Sequence, residues 1–259
     1  MSRLRAKCPH CRTYTAVAIG PTYECHACGR EYKAGLVRVP RAWGTGGEGM
    51  VEAATALDLP YPEAAVVAEE TLGDQTLVVA SELPERPLVL GGCCCSHIGA
   101  VEALATRHDR MSLVWIDAHG DLNTPETSPS GNEWGMPLRM ILDGGAVDAS
   151  NVALVGARDL DPPEREFIAT SGLHLGADAI DRALEGTDAV YVAIDGDGLD
   201  EDEVSAWLPV PGGIHVAEAE RLLARLAATT TVAGLGLAGF LADPVNVEPV
   251  RRLCVAAGL

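Results

Sequence analysis

The chain has 259 residues, 47% hydrophobic and 22% charged, a balance that excludes a disordered chain and fits one large α/β domain or two smaller ones. The formal net charge of −18 argues against a surface built for bare nucleic acid, and no apolar run reaches the ~18 residues that cross a bilayer. The charge is uneven: residues 1–41 carry 8 basic residues against 2 acidic ones, or +6, which leaves 11 against 35, or −24, for the rest.

Arg3 and Arg5 are followed by Lys7 and Cys8 where a secretory signal would place apolar residues. The protein is therefore expected in the cytoplasm, with its eight cysteines reduced and available for metal or chemistry. The first segment carries two Cys-x-x-Cys knuckles, Cys8/Cys11 and Cys25/Cys28, separated by thirteen residues. Four thiolates at this spacing can close a tetrahedron around one structural zinc, and the enclosed hairpin is too small to fold on apolar burial alone. The competing reading is a redox pair or free thiols; His10 and His26 lie inside the knuckles as substitute ligands.

After Pro40 the composition changes. Arg41–Met50 has four glycines and reads as a loop, and beyond it short apolar runs alternate with helical patterns. The runs are Pro87–Gly92, Leu113–Asp117, Val152–Ala157, Ala189–Asp195 and Thr231–Leu237; the helical patterns include His97–His108, Pro163–Thr170 and His215–Thr229. This alternation predicts βαβ units and a parallel sheet covered on both faces, hence two domains: a four-cysteine zinc ribbon over 1–40 and an α/β body over 41–259.

In such a sheet ligands collect beyond the carboxyl ends of the strands. Three predicted strands end in polar clusters: Cys93, Cys94, Cys95 and His97; Asp117, His119 and Asp121; Asp195 and Asp197. With Asp117, His119 and Asp121 at i, i+2 and i+4, an extended segment would turn all three to one side. Alone, an Asp-x-Asp pair is a common turn and a cysteine triplet is common packing. Together they place four carboxylates in one pocket, and one or two divalent cations would relieve their repulsion.

The stretches Asp117–Asn132 (DAHGDLNTPETSPSGN), Val155–Glu164 (VGARDLDPPE), Ala193–Asp200 (AIDGDGLD) and Pro209–Leu223 resemble the signatures of the ureohydrolases, the arginase and agmatinase family. The resemblance implies a three-layer α/β/α fold and hydrolysis of guanidino groups by a hydroxide bridging two manganese ions. It implies metal ligation by Asp117, His119, Asp121, Asp195 and Asp197, with Asp121 and His119 acting in catalysis. The sixth ligand position, a histidine in the family, aligns with Cys94, whose thiolate would move preference from manganese toward zinc or iron; His97, one turn on, is the alternative donor. Two more positions depart from the family: its proton-shuttling histidine aligns with Trp134, and its guanidinium-binding acid with Gly239. Arginine is accordingly a doubtful substrate. Positions that contact the amino-acid head group match Asn123, Ser128, Ser130, Asp161 and Glu164, and with Trp134 they form the expected substrate site; for Asn123, Ser128 and Ser130 the competing role is to order the loop. Gly239 is expected to make room.

The resulting expectation is a metal-dependent hydrolase of a C–N bond in a guanidino, amidino or related amino-acid-like molecule. It would act without membrane or nucleic-acid partners, as a trimer or hexamer by family. The alternatives are a non-catalytic binding or regulatory protein on the same scaffold, and a thiol nucleophile among Cys93–Cys95.

Overall fold

The computed structural model describes residues 5–259; Arg3, one of the basic N-terminal residues, lies outside them. The first unit is a four-stranded antiparallel sheet, β1 (Arg5–Ala6), β2 (Ala16–Ile19), β3 (Thr22–Cys25) and β4 (Glu31–Tyr32), in the order β1-β2-β3-β4. The second is an eight-stranded sheet of β5 (Gly35–Val39), β6 (Glu63–Val66), β7 (Pro87–Gly91), β8 (Met111–Ile116), β9 (Val152–Val155), β10 (His174–Leu175), β11 (Ala189–Asp195) and β12 (Thr231–Ala238). Its order is β10-β9-β8-β11-β12-β7-β5-β6, and every pairing is parallel.

The central strands are apolar on both faces because both are covered. From β8, Val114 and Ile116 join one core with Val192 and Ile194 of β11, while Leu113 and Trp115 join the other with Tyr191 and Ala193. The period of two in that assignment is the pleat of the strands. Helices α1 (Glu48–Ala56), α6 (Ile180–Ala183), α7 (Val216–Thr229) and α8 (Val247–Ala256) cover the first face. On the second lie α2 (Leu72–Glu82), α3 (Ile98–Ala105) and α4 (Pro137–Asp143), with α5 (Pro162–Ser171) packed on that side through Phe167 and Ile168. In α7, Val216, Ala219, Leu223 and Leu226 are buried, one stripe of an amphipathic helix. Cys254 is buried in α8.

Two expectations about organisation change. Arg41–Met50 is not all loop, since α1 begins at Glu48. The strand Gly35–Val39, expected in the ribbon, pairs with β6 and β7 inside the large sheet. Its backbone donors and acceptors need two neighbours, and only the parallel sheet offers both. We therefore place the boundary between the units near Lys33. The ribbon docks on the body's edge strand: Lys7 and Glu63 exchange both backbone hydrogen bonds at 2.9 Å, and Ala64 joins Ala6, Ala16 and Tyr23 in a small shared core.

Candidate active site

The carboxyl ends of β7, β8, β9, β11 and β12 open into one cleft. The loop after β7 delivers Cys93 and Cys94, β8 delivers Asp117, His119 and Asp121, β11 delivers Asp195 and Asp197, and β12 ends at Gly239.

Asp117, His119 and Asp121 converge, but not by strand alternation. The segment leaves the sheet at Asp117, whose Oδ1 accepts from His119 N at 2.7 Å, and Asp121 takes a left-handed φ of 54°. This turn, which costs about 1 kcal/mol or more for a non-glycine residue, aims all three side chains inward where an extended segment was expected. Gly120 lies within it, so close to Glu164 that a β-carbon would fall 2.6 Å from Oε1.

The donors form two groups that share Asp117. Cys94, Asp117 and Asp121 have ligand atoms within 4.8 Å of one another, and so do Asp117, His119 and Asp197. Asp195 lies between them, its Oδ2 accepting from Cys94 Sγ at 3.2 Å and its Oδ1 from Asp197 N at 3.0 Å. Asp117 is held further by Trp115 Nε1, which donates to its Oδ2 at 3.1 Å. Asp121 Oδ2 is buried and finds no hydrogen-bond partner among the described residues. A buried, unpartnered carboxylate oxygen facing three other carboxylates and a thiol is a donor set that fits divalent cations.

The electrostatics agree. Burial, reinforced by Asp197, pushes Asp195 up to about 7; burial and Asp117 push Asp197 up to about 6. Burial followed by Asp117 and Asp195 lifts Asp121 well above the carboxylate range. Burial would lower His119, but Asp117 and Asp197 outweigh it and raise the imidazole to about 12; its Nδ1 is 3.0 Å from Asp197 Oδ2. Protons or cations would both relieve this repulsion.

His97 does not reach the cluster. It is fully buried behind it, edge-on to Trp115 at 5.7 Å, with Nδ1 3.2 Å from the Tyr191 hydroxyl. That leaves Cys94 as the donor contributed from the end of β7.

Asn123, Ser128, Ser130, Trp134, Asp161 and Glu164 all line the cleft. Several are committed to the protein. Asn123 donates to Asp161 Oδ2 at 2.9 Å and accepts from the Thr127 hydroxyl at 2.9 Å. Ser128 and Ser130 accept from the backbone N–H groups of Gly131 and Asn132, at 3.0 and 3.2 Å. Glu164 accepts from Leu122 N at 3.0 Å and Asp161 N at 2.9 Å, so both its oxygens brace backbone where substrate contact was expected. Trp134 packs edge-on against Trp207 at 6.4 Å, and the two rings rim the cleft.

Gly239 makes no room. Its φ is 73°, and a β-carbon there would fall 1.9 Å from Asp195 Oδ1, so the space an acidic side chain would enter is already taken by Asp195. Asp159 and Trp207 also line the cleft, and neither is among the residues expected there. Asp159 sits inside the stretch Val155–Glu164 and was findable there. Trp207 carries no local pattern and enters because its backbone N–H donates to Gly239 O at 2.8 Å.

A model of the arginase family matches residues 50–240. The chain is 39% identical over 158 residues to the arginase of Bacillus subtilis (strain 168), covering 51% of this chain and 53% of that protein. It is 34% identical over 191 residues to the arginase of Bacillus caldovelox, covering 63% and 62%. These matches thus span between about half and three fifths of the curated relatives' length. Among solved structures, an arginase from Bacillus subtilis superposes with a TM-score of 0.71 at 26% identity, over 85% of this chain and 97% of that one.

Proposed function

Because the chain belongs to the arginase family, we propose that it hydrolyses a C–N bond in a guanidino, amidino or related amino-acid-like small molecule, with one or two divalent cations at the floor of the cleft. The observation that carries this reading is the pair of donor groups sharing Asp117, together with the unpartnered buried oxygen of Asp121. Asp117, Asp121, Asp195 and Cys94 would hold one cation and Asp117, Asp195, Asp197 and His119 the other; manganese is the ion the family implies. When bound, such cations supply Lewis acidity and lower the pKa of water at the site toward neutrality.

The chain's own residues do the rest. Asp121, directed inward by its left-handed turn, orients water toward the reacting carbon. Trp134 and Trp207 narrow the mouth and limit bulk water. Asp159 and Asp161 present negative charge to a substrate's amino group, and among the described residues lining the cleft there is no lysine or arginine to hold an acidic one. At Gly239 no carboxylate is available to pair with a guanidinium, an interaction whose truncation costs roughly 2–5 kcal/mol in buried pairs. Arginine should therefore be a poor substrate, and a compound whose reacting group is neutral or weakly basic, such as an amide or an electron-poor substituted guanidine, a better one.

The test is release of urea, ammonia or amine from a panel of guanidino and amidino compounds by protein supplied with manganese or zinc. At least one compound should turn over faster than arginine, and Asp121→Ala should abolish the reaction. An active Asp121→Ala protein refutes that residue's role. A silent panel with metal bound in the body favours the non-catalytic reading, which Trp134 and Gly239 also motivate.

A further inference from the structure

Resting on the proposed metal site, we infer that its two cation positions are chemically unequal: the one bordered by Cys94 selects a thiophilic ion such as zinc or iron, and the one bordered by His119 takes a harder ion such as manganese. The inequality follows from where the donors lie. Cys94 Sγ is 3.2 Å from Asp195 Oδ2 and 4.0 Å from Asp117 Oδ2, and its ligand atom lies with those of Asp117 and Asp121 within 4.8 Å. The His119 group contains no sulfur and is more open, with the imidazole 30% exposed.

Thiolate ligands favour zinc, iron and copper, whereas carboxylates and water suit manganese. A sulfur on one side only therefore separates the affinities of the two positions, even though they share Asp117. His97 adds no nitrogen to the Cys94 side, being turned away between Trp115 and Tyr191, and the single imidazole of His119, itself a fair zinc ligand, narrows the difference without supplying a sulfur. The neighbouring thiols belong to neither donor group. Cys93 Sγ accepts from Trp43 N at 3.5 Å, and Cys95 Sγ contacts Glu133 O at 3.4 Å.

The test uses the full chain with the Cys8/Cys11/Cys25/Cys28 cluster zinc-loaded, titrated with Co(II) and then competed with Mn(II) and Zn(II). Sulfur-to-cobalt charge-transfer absorption is expected beyond any contribution of the ribbon, and the difference spectrum between wild type and Cys94→Ser should isolate it. Cys94→Ser should lower the zinc-over-manganese preference of the body. Cys94→His should shift bound metal toward two equivalents of manganese, and Cys95→Ser should match wild type. If cobalt binds in the body but Cys94→Ser leaves spectrum and preference unchanged, this inference fails while the metal reading stands. If no metal binds beyond the ribbon, both fail. Should Cys94→Ser not fold, the Cys94→His metal ratio decides alone.

Discussion

At the scale of single residues, the site is governed by close approaches. Gly239 marks the family's substrate acid in the alignment, yet its backbone conformation and the nearby Asp195 carboxylate leave no place for one. Restoring the acid should therefore fail. Gly239→Glu is expected to destabilise the protein by about 2 kcal/mol or more, through positive-φ strain and displacement of Asp195. It should also weaken metal retention without conferring arginine hydrolysis. Urea denaturation and elemental analysis of the variant check this, and a stable, arginine-hydrolysing Gly239→Glu protein would show that Asp195 yields. Trp134 leads to a milder expectation. Trp134→Ala opens the rim and should raise KM more than it lowers kcat, as steady-state kinetics on the best substrate would show.

At the scale of elements, the ribbon is tied to the sheet it borders. In it Cys8 and Cys28 sulfurs are 3.8 Å apart and Cys11 and Cys25 sulfurs 3.5 Å apart. Four sulfurs at about 2.3 Å from zinc lie about 3.8 Å from one another, so the cluster fits a closed structural site, which we propose it forms. The knuckle turns support it: Arg12 N and Gly29 N return to Cys8 O and Cys25 O at 3.0 and 2.7 Å, with positive φ at Arg12 and Gly29. Since β1 closes onto β6 through Lys7 and Glu63, the ribbon blunts an open sheet edge on which Val66 is 54% exposed. Cys25→Ala should lose one equivalent of zinc, speed amide exchange across Glu63–Val66 and promote aggregation. Unchanged exchange there would mean that the ribbon docks without its metal.

For the whole molecule, four of the acidic residues, Asp117, Asp121, Asp195 and Asp197, are gathered at one place where cations would neutralise them. The metal-free folded chain binds more protons than the unfolded one: Asp195 at about 7 and Asp197 at about 6, against an ordinary 3.8, and His119 at about 12, against 6.5. All three shifts have the same sign but act in different windows: the two aspartates should lower the stability of the metal-free protein as pH rises from about 4 through 6 to 7, and His119, protonated in both states below about 6.5, only above that, each by up to ~1.4 kcal/mol per pH unit. A divalent cation replaces those protons, binds more tightly as pH rises and should flatten or reverse the trend. Melting temperatures between about pH 5 and 8, with and without manganese, measure both. A metal-free melting temperature that climbs with pH would overturn the assignment of shared protons to this cluster. Among the described residues no helix is long and apolar enough to cross a membrane.

The sequence alone determined the parallel α/β body, the four-cysteine knuckles and the cleft-lining side chains Asp117, His119, Asp121, Asp195 and Asp197, which we propose as metal donors. All of these are local: strands buried on both faces are continuous apolar runs, and the donors sit within a few residues of their ends. Tertiary structure decided which donors meet. The first turn after β7 aims Cys94 at the carboxylates and buries His97 behind them, a rotation that a spacing of three residues does not encode. Contacts between distant segments likewise moved Gly35–Val39 into the large sheet, filled the space beside Gly239 with Asp195 and brought Trp207 to the cleft. Each depends on how close two strands or loops remote in sequence come, and burial and backbone pairing set that distance only once the whole sheet has formed.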